Sequence, residues 1–133
     1  MFKKIAIFVN ENSGGNKKLW KAFSTCQKVS ETIRTIIKHA RAVSAAPAPN
    51  LYPLERAESK NYQITITKNI QRLEEISKPN LEEQKNILEN TTFYLSAAKK
   101  NSVKNLLLNL ISVLEFTIDK VVNDYNRLWA ESL

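Results

Sequence analysis

Residues 80–133 read NLEEQKNILENTTFYLSAAKKNSVKNLLLNLISVLEFTIDKVVNDYNRLWAESL, a stretch without a glycine or a proline. These two residues most often build tight turns or interrupt helices, so their absence over such a length favours long helices. The two glycines of the chain are adjacent, at positions 14 and 15, and its four prolines lie between positions 47 and 79. An all-β chain of 133 residues would need turn residues at many more places. The sequence therefore predicts an all-α fold.

Apolar residues recur every three or four positions, the spacing of a helix, in four segments of the chain. The predicted helices cover residues 16–44, 55–78, 80–99 and 102–131. Asn80 and Glu83 have the spacing of a capping box at the start of the third segment, and Ser102 can cap the fourth. The apolar face of the second segment consists of Tyr62, Ile66, Ile70, Leu73 and Ile76.

The connections between these segments predict the topology. Pro79 and residues 99–102 leave only short links, which favour antiparallel neighbours. Residues 44–54, SAAPAPNLYPL, are more numerous and proline-rich, and we expect an extended strap there. The predicted architecture is an antiparallel up-down four-helix bundle, with a single domain over residues 16–133 and a short N-terminal arm over residues 1–15.

The N-terminal arm allows two interpretations. Phe2–Val9 can form a short strand that leads through Gly14 and Gly15 into the first helix, where backbone N–H groups can bind an anion. The alternative is an ordered arm or a flexible leader without a ligand. The apolar run Ile5–Val9 is shorter than the roughly 7–15 residues of a signal peptide core. No run approaches the roughly 20 residues of a membrane span, so we expect a cytoplasmic protein without membrane contact.

Few residues suit catalysis or metal binding. His39 is the only histidine, so zinc and di-iron sites that need two histidines cannot be built within one chain. Cys26 is the only cysteine and falls on the apolar side of the first helix, where it is expected to pack as a small hydrophobic residue. The acidic pairs Glu74–Glu75 and Glu82–Glu83 diverge around a helix. We therefore predict no enzymatic activity, no cofactor, no metal and no small-molecule substrate.

Positive charge is concentrated in the first predicted helix. The chain has a net charge of +7, and residues 16–54 alone carry seven basic side chains against Glu31. A basic face with interleaved aromatic residues suits nucleic acid, because phosphates accept the charge and bases stack on rings. Trp20 and Phe23 can instead pack beneath the N-terminal arm. The predicted nucleic-acid-binding residues are Lys17, Lys18, Trp20, Lys21, Lys28, Arg34, Lys38 and Arg41.

These patterns favour a non-catalytic accessory or regulatory factor that contacts RNA or DNA through its basic first helix. The alternative is a protein–protein adaptor or a chaperone-like module without nucleic acid. Leu108 and Phe116 support this alternative, because both apolar side chains fall on the polar side of the last predicted helix. They are the predicted protein-interface residues, either in a homo-oligomer or with a different protein partner.

Overall fold

The protein folds as an all-α bundle. The structure, a computed structural model, describes the backbone of residues 2–44, 53–91 and 97–132, and the side chains of residues 2–41, 61–91 and 102–127. The elements are α1 (Phe2–Asn12), α2 (Lys17–Ser44), α3 (Pro53–Arg72), a π-helical turn (Leu73–Ser77), α4 (Lys78–Asn90) and α5 (Ala97–Ser132). These ranges contain no strand, so the prediction of an all-α fold is confirmed.

One apolar core joins all the helices. Helix α2 contacts α1, α3, α4 and α5, and α1 also contacts α5. Burying each large aliphatic side chain contributes roughly 1.5–3 kcal/mol, and several of these side chains have no accessible surface. The fully buried aliphatic residues that the helices contribute are Val9, Leu19, Leu73, Leu81, Leu88, Val103, Leu107 and Ile111.

The predicted link at Pro79 is wrong. Helix α3, the π turn and α4 follow one another without a loop, so they form a single helix over residues 53–90, below called the 53–90 helix. The N–H of Lys78 donates to the carbonyl of Leu73, five residues earlier, which closes the wider π turn. Pro79, which has no N–H to donate, follows directly after this turn as one of the first residues of α4.

The predicted helix caps at Asn80 and Ser102 are also wrong. Ser77, at the start of α4, has helical dihedral angles and no side-chain cap hydrogen bond, and Asn80 lies inside α4. An uninterrupted helix has no free N–H groups there for a capping box to bind. The predicted helix 80–99 instead ends at Asn90, after which Thr91 is extended, and α5 begins at Ala97 rather than at Ser102.

The residues that line the core also differ around the π turn. Ile76, expected on the buried face, is 50% exposed, whereas its neighbour Ser77 is buried. The extra residue of a π turn changes the phase of the helix, and apolar spacing alone does not reveal it. The part of the chain with described backbone thus has four continuous helices, but α1 replaces one of the four that were predicted. The antiparallel up-down order stays a prediction.

The N-terminal arm is the helix α1, not a strand, and Val9 anchors it in the core. Gly14 and Gly15 connect it to α2 with φ angles of 61° and 74°, which favour glycine. Asn16 caps α2, because its side-chain oxygen accepts from the N–H groups of Lys18 (2.9 Å) and Leu19 (3.3 Å). Two N–H groups of the proposed anion loop are therefore occupied. Most of the proposed strap, residues 45–52, lies outside the described residues.

Candidate nucleic-acid interface

The basic residues predicted to bind nucleic acid all lie on α2. Their side chains are exposed, whereas the opposite side of the helix carries the buried residues Leu19, Cys26 and Ile33. Since 3.6 residues make one helical turn, most of the charges form two groups on the exposed side, one near its middle and one toward a border. Lys17, Lys21 and Lys28 make up one group, and Arg34, Lys38 and Arg41 make up the other.

Lys21 and Lys28 of the first group line a groove between α2 and the 53–90 helix, below called the basic groove. Its volume is about 280 Å³. Lys21 and Lys28, two helical turns apart, contribute the charge on the α2 side, and Arg72 contributes a third cation from the end of α3. Glu83 is the one carboxylate among the lining residues, so the groove carries a net positive charge. The remaining lining residues are Ser24, Thr25, Val29, Thr32, Ile76, Ser77, Asn80 and Gln84.

Arg72 is the cation of the site that sequence reasoning missed. Residues 55–78 have nearly balanced charge, so nothing in that segment distinguishes Arg72 from a solvated surface arginine. It belongs to the site because α3 packs against α2 and the π turn begins at the next residue. Only the pairing of the two helices places this cation in the same groove as Lys21 and Lys28.

The threonines of the groove present acceptors rather than donors. The hydroxyl of Thr25 donates to the carbonyl of Lys21 (2.9 Å), and that of Thr32 donates to the carbonyl of Lys28 (3.1 Å). Because each hydroxyl proton is used within the helix, the oxygen lone pairs remain for a ligand that donates. The cations are therefore the groups that would attract a phosphate.

The cations of the basic groove have no carboxylate partner within the described residues. The ion pairs there join Lys78 to Asp119 (2.8 Å) and Arg127 to Asp124 (3.5 Å), and neither involves α2. A lysine without a carboxylate partner keeps its charge available for a phosphate. The arrangement can hold a polyanion by charge without any bond-making chemistry.

Gln84 is a buried residue of the lining of the basic groove, and its amide oxygen is unsatisfied. Its side chain is only 3% exposed, and its Oε1 atom has no hydrogen-bond partner within the described residues. Leaving a buried polar atom unpaired costs roughly 1–3 kcal/mol, so such atoms are uncommon in folded proteins. Leucine or methionine at this position would avoid that cost and make the fold more stable.

Trp20 packs within the protein. Its ring meets Phe23 edge-on with centroids 5.8 Å apart, and Phe23 in turn meets Phe2 of α1 at 6.2 Å. Trp20 is half-buried against the core, and Phe23 is buried. The arrangement matches the alternative in which both rings pack beneath the N-terminal arm. Base stacking on Trp20 stays a prediction, and the basic groove does not include this residue.

The two predicted interface residues differ in exposure. Leu108 is half-buried and packs against the core, whereas Phe116 is 71% exposed on α5. Val113, one turn before Phe116, is 60% exposed. The apolar surface that faces solvent on this helix is therefore centred on Phe116 and Val113 rather than on Leu108.

The remaining candidate residues have structural surroundings. Cys26 is buried as predicted, and burial raises the pKa of its thiol from 9.0 to about 12. His39 stacks on Tyr62 with ring centroids 5.2 Å apart. The described residues contain no group of three or more His, Cys, Asp or Glu side chains placed to hold a metal ion.

Comparisons with known proteins give no family assignment. No family model matches the chain, and no curated protein sequence or solved structure is significantly similar to it. None of the helices in the described part of the chain is both long and apolar enough to cross a bilayer.

Proposed function

We propose that the protein is a non-catalytic accessory or regulatory factor that binds RNA or DNA through α2 and the basic groove. The observation that carries the proposal is the convergence of Lys21, Lys28 and Arg72 on one groove without carboxylate partners among the described residues. Phosphates neutralised by such cations release counterions, which supplies most of the affinity of non-specific nucleic-acid binding.

The other exposed cations extend the contact along α2. Lys17 and Lys18 lie at its start, and Arg34, Lys38 and Arg41 form the second group of cations on its exposed side. A helix with cations over several turns can follow successive phosphates, since it rises about 1.5 Å per residue. The expected affinity is therefore strongly dependent on salt and only weakly dependent on sequence.

The proposal is tested by the affinity of the wild-type protein for short DNA and RNA oligonucleotides at low salt. The double substitution Lys21→Glu/Lys28→Glu should lower the affinity about 100-fold, because two favourable contacts become repulsive. The matched control is Lys120→Glu/Arg127→Glu, which makes the same change in net charge at two exposed positions of α5. The control should lose less than about threefold, because only the overall charge changes there.

Circular dichroism shows whether both variants keep the helical fold. Equal losses in the groove variant and in the control would mean that net charge alone drives binding, without a defined surface. Absence of binding by the wild-type protein at low salt would end the nucleic-acid proposal.

A second candidate function is protein–protein contact through α5, in a homo-oligomer or with another protein. Phe116 and Val113 favour it, because a large aromatic side chain and a neighbouring valine on the same helix face are exposed together. If this surface is an interface, Phe116→Gln should lower the mass in solution measured by light scattering. If the variant has the same oligomeric mass as the wild-type protein, self-association does not use Phe116. If both proteins have the mass of a monomer, the homo-oligomer is excluded.

A further inference from the structure

The basic groove contains two kinds of groups without a partner among the described residues. The cations Lys21, Lys28 and Arg72 line its rim and favour an anionic ligand. The lining of the groove also contains the Gln84 amide, whose Oε1 atom is buried without a hydrogen-bond partner among the described residues. A simple phosphate satisfies the rim but gives an amide oxygen nothing to accept, because a phosphate at neutral pH is chiefly an acceptor. A ligand that suits both kinds of groups combines negative charge with N–H groups.

The groove also offers apolar surface for a flat ring. The π turn places Ile76 in its lining with half of the side chain's surface exposed, beside the buried Val29. Its volume of about 280 Å³ falls near the lower limit of small-molecule sites, which suits one nucleotide unit. A nucleobase brings apolar faces and a donor–acceptor edge, and its sugar–phosphate backbone brings the charge.

The glutamine side chain matches such an edge. Its amide has a carbonyl acceptor and an NH2 donor side by side, which pair with adjacent groups of a base. Rotation about the terminal Cγ–Cδ bond is soft in glutamine, so either end of the Gln84 amide can turn toward the groove. The oxygens of Thr25 and Thr32, whose protons are used within α2, add acceptors for further N–H groups.

We propose that the basic groove receives one unpaired base of a single-stranded nucleic acid, which hydrogen-bonds to Gln84 while Lys21, Lys28 and Arg72 bind the flanking phosphates. The inference rests on the proposed nucleic-acid binding and makes it more specific. A base in a duplex presents its Watson–Crick edge to its partner and its faces to its neighbours, so it cannot enter the groove without being flipped out. Single strands are therefore the preferred ligand class.

The test compares a short single-stranded DNA oligonucleotide with an abasic oligonucleotide of the same length, which has the same phosphates but no bases. The wild-type protein should bind the base-containing strand about tenfold more tightly. Gln84→Leu should reduce that ratio to below about twofold while leaving the affinity for the abasic strand unchanged. The leucine variant should also melt a few degrees higher, because it removes a buried unpaired amide.

Gln84→Met is the second variant, in case leucine does not fit at this position. A wild-type protein that binds both strands equally would overturn the base-binding inference and leave the proposed function intact. The same holds if the tenfold ratio persists in the folded Gln84 variants. Failure of both strands to bind at low salt would overturn the proposed function, and the inference with it.

Discussion

Two seams between helices carry lysines in different electrostatic surroundings. In the basic groove between α2 and the 53–90 helix, neither Lys21 nor Lys28 forms an ion pair with a carboxylate of the described residues. In the seam between α4 and α5, the Nζ atom of Lys78 lies 2.8 Å from Asp119. The neighbouring helix, rather than the lysine itself, therefore determines whether a cation is available to a ligand.

The seam between α4 and α5 uses its charge internally. The hydrogen bond from Lys78 to Asp119 raises the pKa of this lysine, with smaller contributions from the charges of Asp119, Glu115 and Glu74. The carboxylates surround an exposed cation, so the pair is screened by water and salt. An anionic ligand meets acidic residues here, whereas Glu83 is the only acidic residue that lines the basic groove.

The first prediction exploits two cations that lie close together on the same continuous helix. Arg72→Gln should weaken binding of a single-stranded oligonucleotide about tenfold, because it removes a cation that faces the basic groove. Lys78→Gln, the matched control, should change the affinity less than twofold, because its charge already pairs with Asp119. Fluorescence anisotropy titrations measure both. Similar losses in the two variants would contradict the distinction between the seams.

The second prediction concerns two apolar side chains of α5, the helix that forms a seam with α4. Leu108→Ala should lower the free energy of unfolding by about 1–2 kcal/mol, because the side chain is half-buried against the core. Phe116→Ala should change it by no more than about 0.5 kcal/mol in the monomer, since the ring is 71% exposed. Urea denaturation distinguishes them, and a large loss at Phe116 would place that ring in an interface or in the core.

The fold was predictable where the sequence pattern is local. Residues 80–133 lack glycine and proline, and their described backbone is helical except at Thr91. The burial of Cys26 follows from its position on the apolar side of α2. Pro79 misled the prediction, because proline interrupts most helices and the preceding π turn leaves no signature in the apolar spacing.

The candidate site was only half predictable for a related reason. Lys21 and Lys28 lie on one helix, so their common face follows from the helical period. Arg72 and Gln84 lie on another helix, and no spacing along the chain reports that they face α2. Trp20 has the residue type expected of a base-stacking platform, but no spacing along the chain reports that its ring packs edge-on against Phe23, which in turn meets Phe2 of α1.

The third prediction uses the buried thiol on the core side of α2. Burial raises the pKa of Cys26 from 9.0 to about 12, so the unfolded chain loses this proton at a lower pH than the folded chain. Its contribution to stability is complete below pH 9.0 and declines as the pH rises toward 12. Cys26→Ala should therefore show a shallower loss of stability than wild type above pH 9.0 in urea denaturation.

The same thiol reports whether substitutions in the basic groove disturb α2. Native wild-type protein and Lys21→Glu/Lys28→Glu should both react slowly with a thiol reagent at neutral pH, because Cys26 has no accessible surface. Rapid labelling of the variant alone would mean that its loss of binding comes from damage to the helix.

The smallest effect is expected in the seam between α4 and α5. Asp119→Asn removes the carboxylate partner of Lys78, and the melting temperature should remain within about 2 °C of wild type, because exposed ion pairs contribute little. The more informative change is in binding. Without its carboxylate partner Lys78 becomes an unpaired cation, so the affinity for an oligonucleotide should rise slightly. A decrease would contradict the statement that pairing with Asp119 keeps Lys78 from binding a ligand.

The most direct test is the salt dependence of oligonucleotide affinity in the wild-type protein and in the triple variant Lys21→Gln/Lys28→Gln/Arg72→Gln. Each phosphate contact on a single strand contributes about 0.7 to the slope of log K against log salt. If the three cations of the basic groove bind phosphates, the slope of the triple variant should be smaller by about 2, while Lys78→Gln keeps the wild-type slope. An unchanged slope in the triple variant would show that the basic groove is not where the protein holds nucleic acid.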